Sequence, residues 1–371
     1  MQKILFIVPE DFGFASHRMS LAKKMIALGW DVVLATRVNE HKMIIEDAGI
    51  KLYDLSHSKN NIKRHSNIFG TIIKLVLLYR HERPDVIHHF TIRMLILGTI
   101  ASLFSKKNHV INTITGLGSA FISKKFKYIV FRKLVTLALR VLLPNSDVTV
   151  QNNDDFKFIK ELGIRESKIH LILGSGVDTQ QYCPHNKINS KLIIALPSRM
   201  LWVKGVGEFV DAAKNLKKNY NCRFILVGDN DNNNPDSINS NQLIEWQNEG
   251  TIEWWGHHED MSAVLKKIDI VCLPTYREGL PKALLEAASA GLPIVTTNVP
   301  GCREVVDDNI NGYLVVAKNS NSLIEPLSRL IKSKKLRLAM GKLGREKVIN
   351  NLSSDIIDQQ NIDLYLSFKK L

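Results

Sequence analysis

Short, nearly continuous apolar runs alternate with helix-length segments through the first half of the chain, and the alternation then starts again. Lys3–Pro9, Asp31–Thr36, Asp85–Phe90, His109–Ile114 and Asp147–Gln151 read as strands; Ser16–Leu28, Ile68–Arg80, Arg93–Phe104 and Lys125–Leu143 read as helices. Strands that are apolar throughout are buried on both faces, which is the condition of a parallel sheet crossed by helices. The rhythm therefore predicts an α/β, doubly wound sheet. After the polar stretch Tyr182–Ser190 the pattern resumes with strand Lys191–Leu196, helix Val206–Lys218 and strand Arg223–Val227. The Asn/Asp/Ser-rich run Asn230–Asn241 reads as a loop. Strand Thr251–Trp255, helix Asp260–Lys267, strand Asp269–Leu273 and helix Leu280–Ala290 follow. Two domains are expected, 1–185 and 186–353, with the helical tail 354–371 returning to the first. Their ligand is expected in the cleft between them, beyond the strand C-terminal ends.

The stretch Arg277-Glu-Gly-Leu-Pro-Lys-Ala-Leu-Leu-Glu286 carries the most chemistry. An acid opens a Gly-Leu-Pro turn, the turn opens a helix, and a second acid follows in the helix's second turn. Pro281 suits the first helical position, and Gly279 permits close approach of a ligand to the backbone. A helix start is an anion site. Two carboxylates around it accept hydroxyl hydrogen bonds. The set suits a diphosphate between two polyhydroxylated rings, a nucleotide sugar. Acids at a helix start also suit a merely solvated end; the turn at a strand end favours the ligand reading.

Other loops at strand ends add to this. Arg199 and Lys204, in Pro197-Ser-Arg-Met-Leu-Trp-Val-Lys-Gly205, are cations placed to neutralise a leaving diphosphate. Asn298-Val-Pro-Gly-Cys-Arg-Glu304 is a further Pro-Gly turn opening a helix. The first loop, Pro9–Arg18, holds one glycine, Gly13, where a dinucleotide fingerprint has three. It reads equally as a phosphate-approach glycine or an ordinary turn. His88 and His89 end a strand, where a histidine serves as a base or as a satisfied structural residue. The doublet His257-His258 admits the same two readings, and no metal-ligand spacing is visible.

Charge is uneven: residues 1–187 carry 27 Lys+Arg against 15 Asp+Glu, residues 188–371 carry 23 against 21. No acid lies between Asp85 and Asp147, while Lys124-Lys-Phe-Lys-Tyr-Ile-Val-Phe-Arg-Lys133 interleaves cations with aromatics. That pattern fits a basic helix packed on a sheet, and also a segment resting on an anionic lipid surface. The apolar run Ile72–Tyr79 is expected to be mostly core. The four cysteines are widely spaced and read as reduced thiols of a cytosolic protein. No secretory signal and no transmembrane-length apolar run is present.

Taken together these residues resemble glycosyltransferase family 4, the retaining transferases of GT-B fold, with two Rossmann-like domains. The most specific parts are the Glu278–Glu286 motif, Arg199 with Lys204, and Val299-Pro-Gly-Cys-Arg-Glu304. Ser16-His-Arg18, Asp85-Val-Ile-His-His-Phe-Thr91, Ile114-Thr-Gly-Leu-Gly118, Gln151-Asn-Asn-Asp-Asp155 and Gly174-Ser-Gly-Val-Asp178 are similar to bacterial enzymes that extend undecaprenyl-diphosphate-linked glycans. The resemblance implies that Glu278 contacts donor-sugar hydroxyls and Glu286 the ribose. Arg199 and Lys204 then hold the diphosphate with amides near Gly13 and around Gly279–Leu280, and Trp255, Gly256 and His257 border the base. It further implies a catalytic part for Glu278, Arg199, Lys204 and His89, no metal or other cofactor, and front-face displacement. Thr91, Arg93, Thr115, Lys124, Lys125, Lys127, Arg132 and Lys133 fall to the acceptor and membrane side. Phe90 stands where many relatives carry a cleft histidine, which leaves His89 or Thr91 to cover that role.

The expected reaction moves a hexose or N-acetylhexosamine from a UDP-sugar to a lipid-linked saccharide, in surface polysaccharide such as O-antigen or capsule, or in glycoprotein glycan assembly. The protein is expected in the cytoplasm, peripherally on the inner face of the cytoplasmic membrane. Two competitors remain: a nucleotide-sugar 2-epimerase of the same fold, and a basic nucleic-acid-binding protein. The second lacks any recognisable binding module, so no nucleic-acid partner is expected.

Overall fold

Seven parallel strands, in the order β3-β2-β1-β4-β5-β6-β7, form the sheet of the first of two units. The units are Met1–Ser175 with Ile357–Leu371, and Gly176–Ile356. The structure, a computed structural model, describes residues 2–56, 68–105, 109–118, 121, 125–185, 191–231 and 234–368. In chain order the first unit runs β1 (Lys3–Glu10), α1 (Asp11–His17), α2 (Met19–Ala27), β2 (Asp31–Arg37), α3 (Lys42–Asp47) and β3 (Lys51–Asp54). It continues α4 (Ile68–Glu82), β4 (Val86–Phe90), α5 (Ile92–Ser102), β5 (His109–Ile114), α6 (Phe126–Leu142), β6 (Asp147–Val150), α7 (Asn153–Glu161) and β7 (Ile169–Leu171). Leu5 of β1 lies between Val33 of β2 and Ile87 of β4, all fully buried. The apolar runs are thus central strands covered on both faces, as their composition requires.

The helix expected over Ser16–Leu28 is two helices. Arg18 leaves helical geometry at φ −131° and ψ −6°. Its guanidinium turns inward, 4.4 Å over the Phe90 ring, and donates to the Gly174 carbonyl at 3.3 Å. Burial draws this arginine down to about 10.

The second unit has a six-stranded parallel sheet, order β10-β9-β8-β11-β12-β13. Its elements are β8 (Leu192–Pro197), α8 (Val206–Leu216), β9 (Cys222–Val227), α9 (Ser240–Asn248), β10 (Glu253–Trp254), α10 (Met261–Leu265), β11 (Ile270–Leu273) and α11 (Lys282–Ser289). Then come β12 (Ile294–Thr297), α12 (Cys302–Val305), β13 (Gly312–Val315), α13 (Asn321–Lys332) and α14 (Lys334–Asn351). Residues following Ser175 are tied into this unit: Val177 bonds Leu352, and the Tyr182 carbonyl accepts from Ser289 and Arg345. The last helix, α15 (Ser354–Ser367), carries Ile357, Ile362, Leu364 and Tyr365 into the core of the first unit, beside Phe6 and Phe14.

At the N-terminal edge of the first sheet, Glu82 closes α4 onto two strands. Its carboxylate accepts from Lys3 and Lys51, each at 2.7 Å, and from the Tyr53 hydroxyl. Burial opposes ionisation, but these three partners outweigh it and hold the carboxyl at about 2. A carboxyl depressed on folding stabilises above its unfolded value, near 4.3, and loses that contribution as pH falls through its folded value. Glu82→Gln is therefore expected to lower the urea-unfolding free energy at pH 7 by roughly 3 kcal/mol. The gap to the parent should close between about pH 4.5 and pH 2; a gap unchanged across that window would remove Glu82 as its source.

Candidate active site

In the second sheet the strand order reverses between β8 and β11, and neighbouring crossovers there leave on opposite faces. The carboxyl ends of those two strands are where such sheets take ligands. Lys204 comes from the β8–α8 loop and Glu278 from the β11–α11 loop. Their charged ends meet at this point, Nζ to Oε1 2.5 Å, with 20% and 13% of the side chains exposed. The single Thr275 hydroxyl proton is shared between the same Glu278 oxygen, 2.9 Å away, and the Val203 carbonyl, 3.2 Å away, and Tyr276 N bonds Val203 O at 2.9 Å. The two loops are thus stitched together on either side of the ion pair.

Two glycines allow that closeness. Gly205, at φ +75°, lies where a Cβ would sit 2.1 Å from the Pro274 carbonyl oxygen. Gly301, at φ +83°, lies where a Cβ would sit 2.6 Å from Gly279 O and 2.9 Å from the Glu278 Cβ. Left-handed backbone with no room for a side chain requires glycine at both. The β12–α12 loop is thereby laid over the β11–α11 turn, and Glu278 N reaches Pro300 O at 3.3 Å.

Helix α11 begins beyond the turn, with Pro281 extended at its N-cap rather than at the first helical position. Glu286 faces inward and is buried. Burial holds its carboxyl above the usual carboxylate range, opposed by Lys282, 3.5 Å away, and by Tyr182. Arg199 is mostly exposed and pairs with Asp231 at 3.1 Å. Gly256 and His257 meet the end of β9: Gly228 N bonds Gly256 O at 2.7 Å, and His257 N bonds the Asp229 carboxylate at 3.0 Å.

Trp255 does not join them. Side chains alternate across a strand, and the Trp255 ring lies against Arg223, Lys267 and Glu253. Its neighbour Trp254 takes the place, with Nε1 donating to Gly228 O at 2.8 Å. Thr275, Tyr182, Asp229 and Trp254 stand against these candidate residues and were not singled out from the sequence. Only Asp229, in Gly-Asp at a strand end, had a local signal.

The first unit presents its expected residues at the carboxyl edge of its own sheet, except where they are buried. Gly13 lies inside the first turns of α1, which starts directly after β1, so no glycine loop exists there. The buried Asp11 fixes this junction, accepting from Phe12 N at 2.7 Å, Asn39 N at 2.6 Å and His41 N at 3.1 Å. Thr91 follows β4 at φ +74°, donates its N–H to Thr113 O, and has a buried hydroxyl with no partner among the described residues. Arg93 is exposed in the first turn of α5, and Thr115 follows β5 half-buried. Lys125, Lys127 and Lys133 are exposed around α6, and Arg132 donates to Phe121 O at 3.0 Å. Lys124 lies outside the described residues.

His89 is not at a surface. It is fully buried, with Nδ1 2.8 Å from Asn112 Oδ1 and Nε2 2.9 Å from the Tyr79 hydroxyl. Gly98 of α5 lies directly beneath it, where a Cβ would come within 2.3 Å of Nε2. Burial lowers it to about 4. His88 points to the other face, equally buried, against Tyr365 and Thr113, and stacks 4.0 Å on Phe90. Both are structural histidines, and the catalytic part expected of His89 is withdrawn for lack of access and of a free ring nitrogen.

Known proteins resemble this chain in sequence and in fold. Residues 179–347 match the family described as Glycosyl transferases group 1, and residues 3–152 the family described as Glycosyl transferase 4-like. The chain is 26% identical to the N,N'-diacetylbacillosaminyl-diphospho-undecaprenol alpha-1,3-N-acetylgalactosaminyltransferase of Campylobacter jejuni, over 95% of this chain and 97% of that one. It is 27% identical to the UDP-Gal:alpha-D-GlcNAc-diphosphoundecaprenol alpha-1,3-galactosyltransferase of Escherichia coli, over 76% and 75%. A crystal structure of Anabaena HepE with UDP and glucose superposes at TM-score 0.80 and 17% identity, over 99% and 100%.

A histidine held neutral by burial stabilises fully above its unfolded value near 6.5 and loses that contribution as pH falls, because the unfolded chain takes up the proton. From 6.5 to about 4 the loss amounts to at most about 3 kcal/mol. His89→Gln should lower the melting temperature at pH 7.5 and flatten the pH dependence of stability across that window. Unchanged stability with lost turnover would restore His89 to the chemistry.

Proposed function

The chain belongs to glycosyltransferase family 4, the retaining transferases of GT-B fold, and we propose that it moves a hexose or N-acetylhexosamine from a UDP-sugar to a lipid-linked saccharide. The product belongs to surface polysaccharide or glycoprotein glycan assembly. The observation that carries the donor half is the Lys204–Glu278 pair at the switch point of the second sheet. A carboxylate that accepts hydroxyl hydrogen bonds touches a cation that attracts phosphate. The junction between a sugar and its diphosphate needs both, at this separation.

In this reading the diphosphate lies along the start of α11, takes Lys204 as its near counter-charge, and draws on Arg199. Glu278 turns its carboxylate to sugar hydroxyls, and Glu286 meets the ribose. The Gly256–His257 turn, backed by Trp254, borders the base. The acceptor hydroxyl oxygen forms the new bond to the anomeric carbon as the bond to the diphosphate oxygen breaks. Its proton passes to the departing phosphate, which leaves on the face of attack. Lysine, arginine and backbone amides meet the charge that develops on the leaving group, so no metal is called upon. Thr91, Arg93 and Thr115 are assigned to the acceptor. The names of the two undecaprenol-linked relatives support a lipid-linked acceptor. Among the described residues no helix is long and apolar enough to cross a membrane. Access to such an acceptor is assigned to peripheral contact of the basic residues around α6 with anionic lipid.

The test starts with a thermal-shift panel of nucleotide sugars, in which a donor at 100 times its Kd should stabilise by about 2.7 kcal/mol. Transfer of the selected sugar to a diphosphate-lipid acceptor analogue should follow. Lys204→Ala should cost on the order of 100-fold or more in kcat, whereas Glu286→Gln should act mainly on the donor KM. Full turnover by Glu278→Ala would contradict the site. Exchange of the sugar C2 proton with solvent in the absence of acceptor would replace transfer by epimerisation.

A further inference from the structure

Helices α4, α5 and α6 lie side by side on one face of the first sheet, with α5 packed against both of its neighbours. Helix α4 buries Thr71, Leu75, Leu78 and Tyr79 against the sheet and α5. On its other side Phe69, Ile73 and Leu77, spaced four apart, are 79%, 59% and 60% exposed. The run Ile72–Tyr79 is mostly core, as expected, through Leu75, Leu78 and Tyr79 with Ile72 and Val76 packed against them, while Ile73 and Leu77 turn outward. Helix α6 does the same: Phe126, Val130, Leu134, Leu137 and Val141 follow one another along its outer side, all exposed. Side chains three and four apart share a helix face, so each helix turns a continuous apolar stripe outward. Contiguous apolar surface of this kind marks a contact site.

Charge selects what covers it. Lys125, Lys127, Lys133 and Arg140 are exposed beside the α6 stripe. Helix α6 contains no acid, and the single acid of α4, Glu82, is buried with Lys3 and Lys51. A surface with apolar ridges, basic flanks and no exposed carboxylate matches an anionic bilayer: acyl chains for the ridges, headgroup phosphates for the cations. An interface between two copies would bring like charges together.

We propose that α4 and α6 form one membrane-docking face, in which α4 supplies a second inserted wedge, Phe69, Ile73 and Leu77, in addition to the basic helix α6. The proposal rests on the membrane contact assigned above and sharpens it from electrostatic attraction to partial insertion at two helices. Attraction alone dissolves in salt, because surface charges are screened within about 8 Å at physiological ionic strength. Insertion persists.

The experiment is flotation of the full chain with vesicles of phosphatidylglycerol and phosphatidylethanolamine, and with phosphatidylcholine alone, at 0.05 to about 0.5 M salt. The expected result is binding to the anionic vesicles with a fraction retained at high salt. The triple variant Phe69→Ser, Ile73→Ser, Leu77→Ser should lose the salt-resistant fraction, with at least about 10-fold weaker binding. It should keep the parent's thermal stability and donor-induced thermal shift, since none of the three touches the core. Lys127→Glu with Lys133→Glu and Arg140→Glu should remove the salt-sensitive fraction instead. Wild-type flotation of the α4 variant would overturn the proposal. So would a dimer, seen by light scattering, that the α4 variant converts to monomer. Flotation needs neither donor nor acceptor, so docking without sugar transfer would overturn the enzymatic reading and leave this one standing.

Discussion

The contact between Lys204 and Glu278 sets the arrangement of everything around it in the second unit. Two opposite charges this close, each mostly removed from water, repay their desolvation only if their geometry is fixed and their remaining valences are used. Thr275 uses one, and the Val203 carbonyl holds Thr275 in turn. Fixing the geometry requires two loops from adjacent strands to approach backbone to backbone, which Gly205 permits, and a third loop to close over them, which Gly301 permits. In the proposed reading the same pair keeps each partner ready for its own half of the ligand. A phosphate competes for the lysine while a hydroxyl competes for the carboxylate. Neither side chain has to be drawn from bulk solvent when the ligand arrives, so little is lost in reorganisation.

Burial pushes both Glu286 and Asp11 upward, and what differs is whether hydrogen-bond donors outweigh it. At Glu286 desolvation wins, and the carboxyl stands above its usual range although Lys282 and Tyr182 oppose the shift. At Asp11, still more buried, desolvation loses to backbone amides that donate directly to the carboxylate, and the carboxyl stands below its usual range. The difference is in the donors: amides held by the backbone aim at the carboxylate, whereas Lys282 reaches it at 3.5 Å along a flexible stem. Asp11 accordingly serves as a fixed joint between β1, α1 and the loop after β2. Glu286 has no such fixed amides, and burial holds its carboxyl above the usual range.

Much of this was legible in the chain. Buried parallel strands are largely apolar, so β1, β2, β4, β5, β8, β9 and β11 showed themselves. A Gly-Leu-Pro turn at a strand end announced α11 and its flanking acids. What escaped had physical reasons. Short α3, β3 and β7 carry too few residues to show a period, and the helix break at Arg18 is imposed by the Phe90 ring rather than by any local breaker. Trp254 ends the two-residue β10 and Trp255 follows it, pointing the other way, and no local pattern fixes that register. His88 and His89 have the composition of a site residue and the surroundings of a core residue. The distinction lies in Gly98, Asn112, Tyr79 and Tyr365, all distant in sequence.

The outward stripes of α4 and α6 are the opposite case, apolar residues that packing leaves in water. A chain can bury only one side of a helix against a sheet. Here α4 already satisfies that side with Leu75, Leu78 and Tyr79. A second apolar side contributes nothing to the folded monomer and invites aggregation, unless its cost is offset by a surface that it meets in use. The acid-free span from Asp85 to Asp147 points the same way. A helix-covered sheet gains nothing for its own stability from the exclusion of carboxylates, and mixed charge would serve solubility better. Both features become intelligible together when the surface facing α4 and α6 is negatively charged at its edge and apolar within.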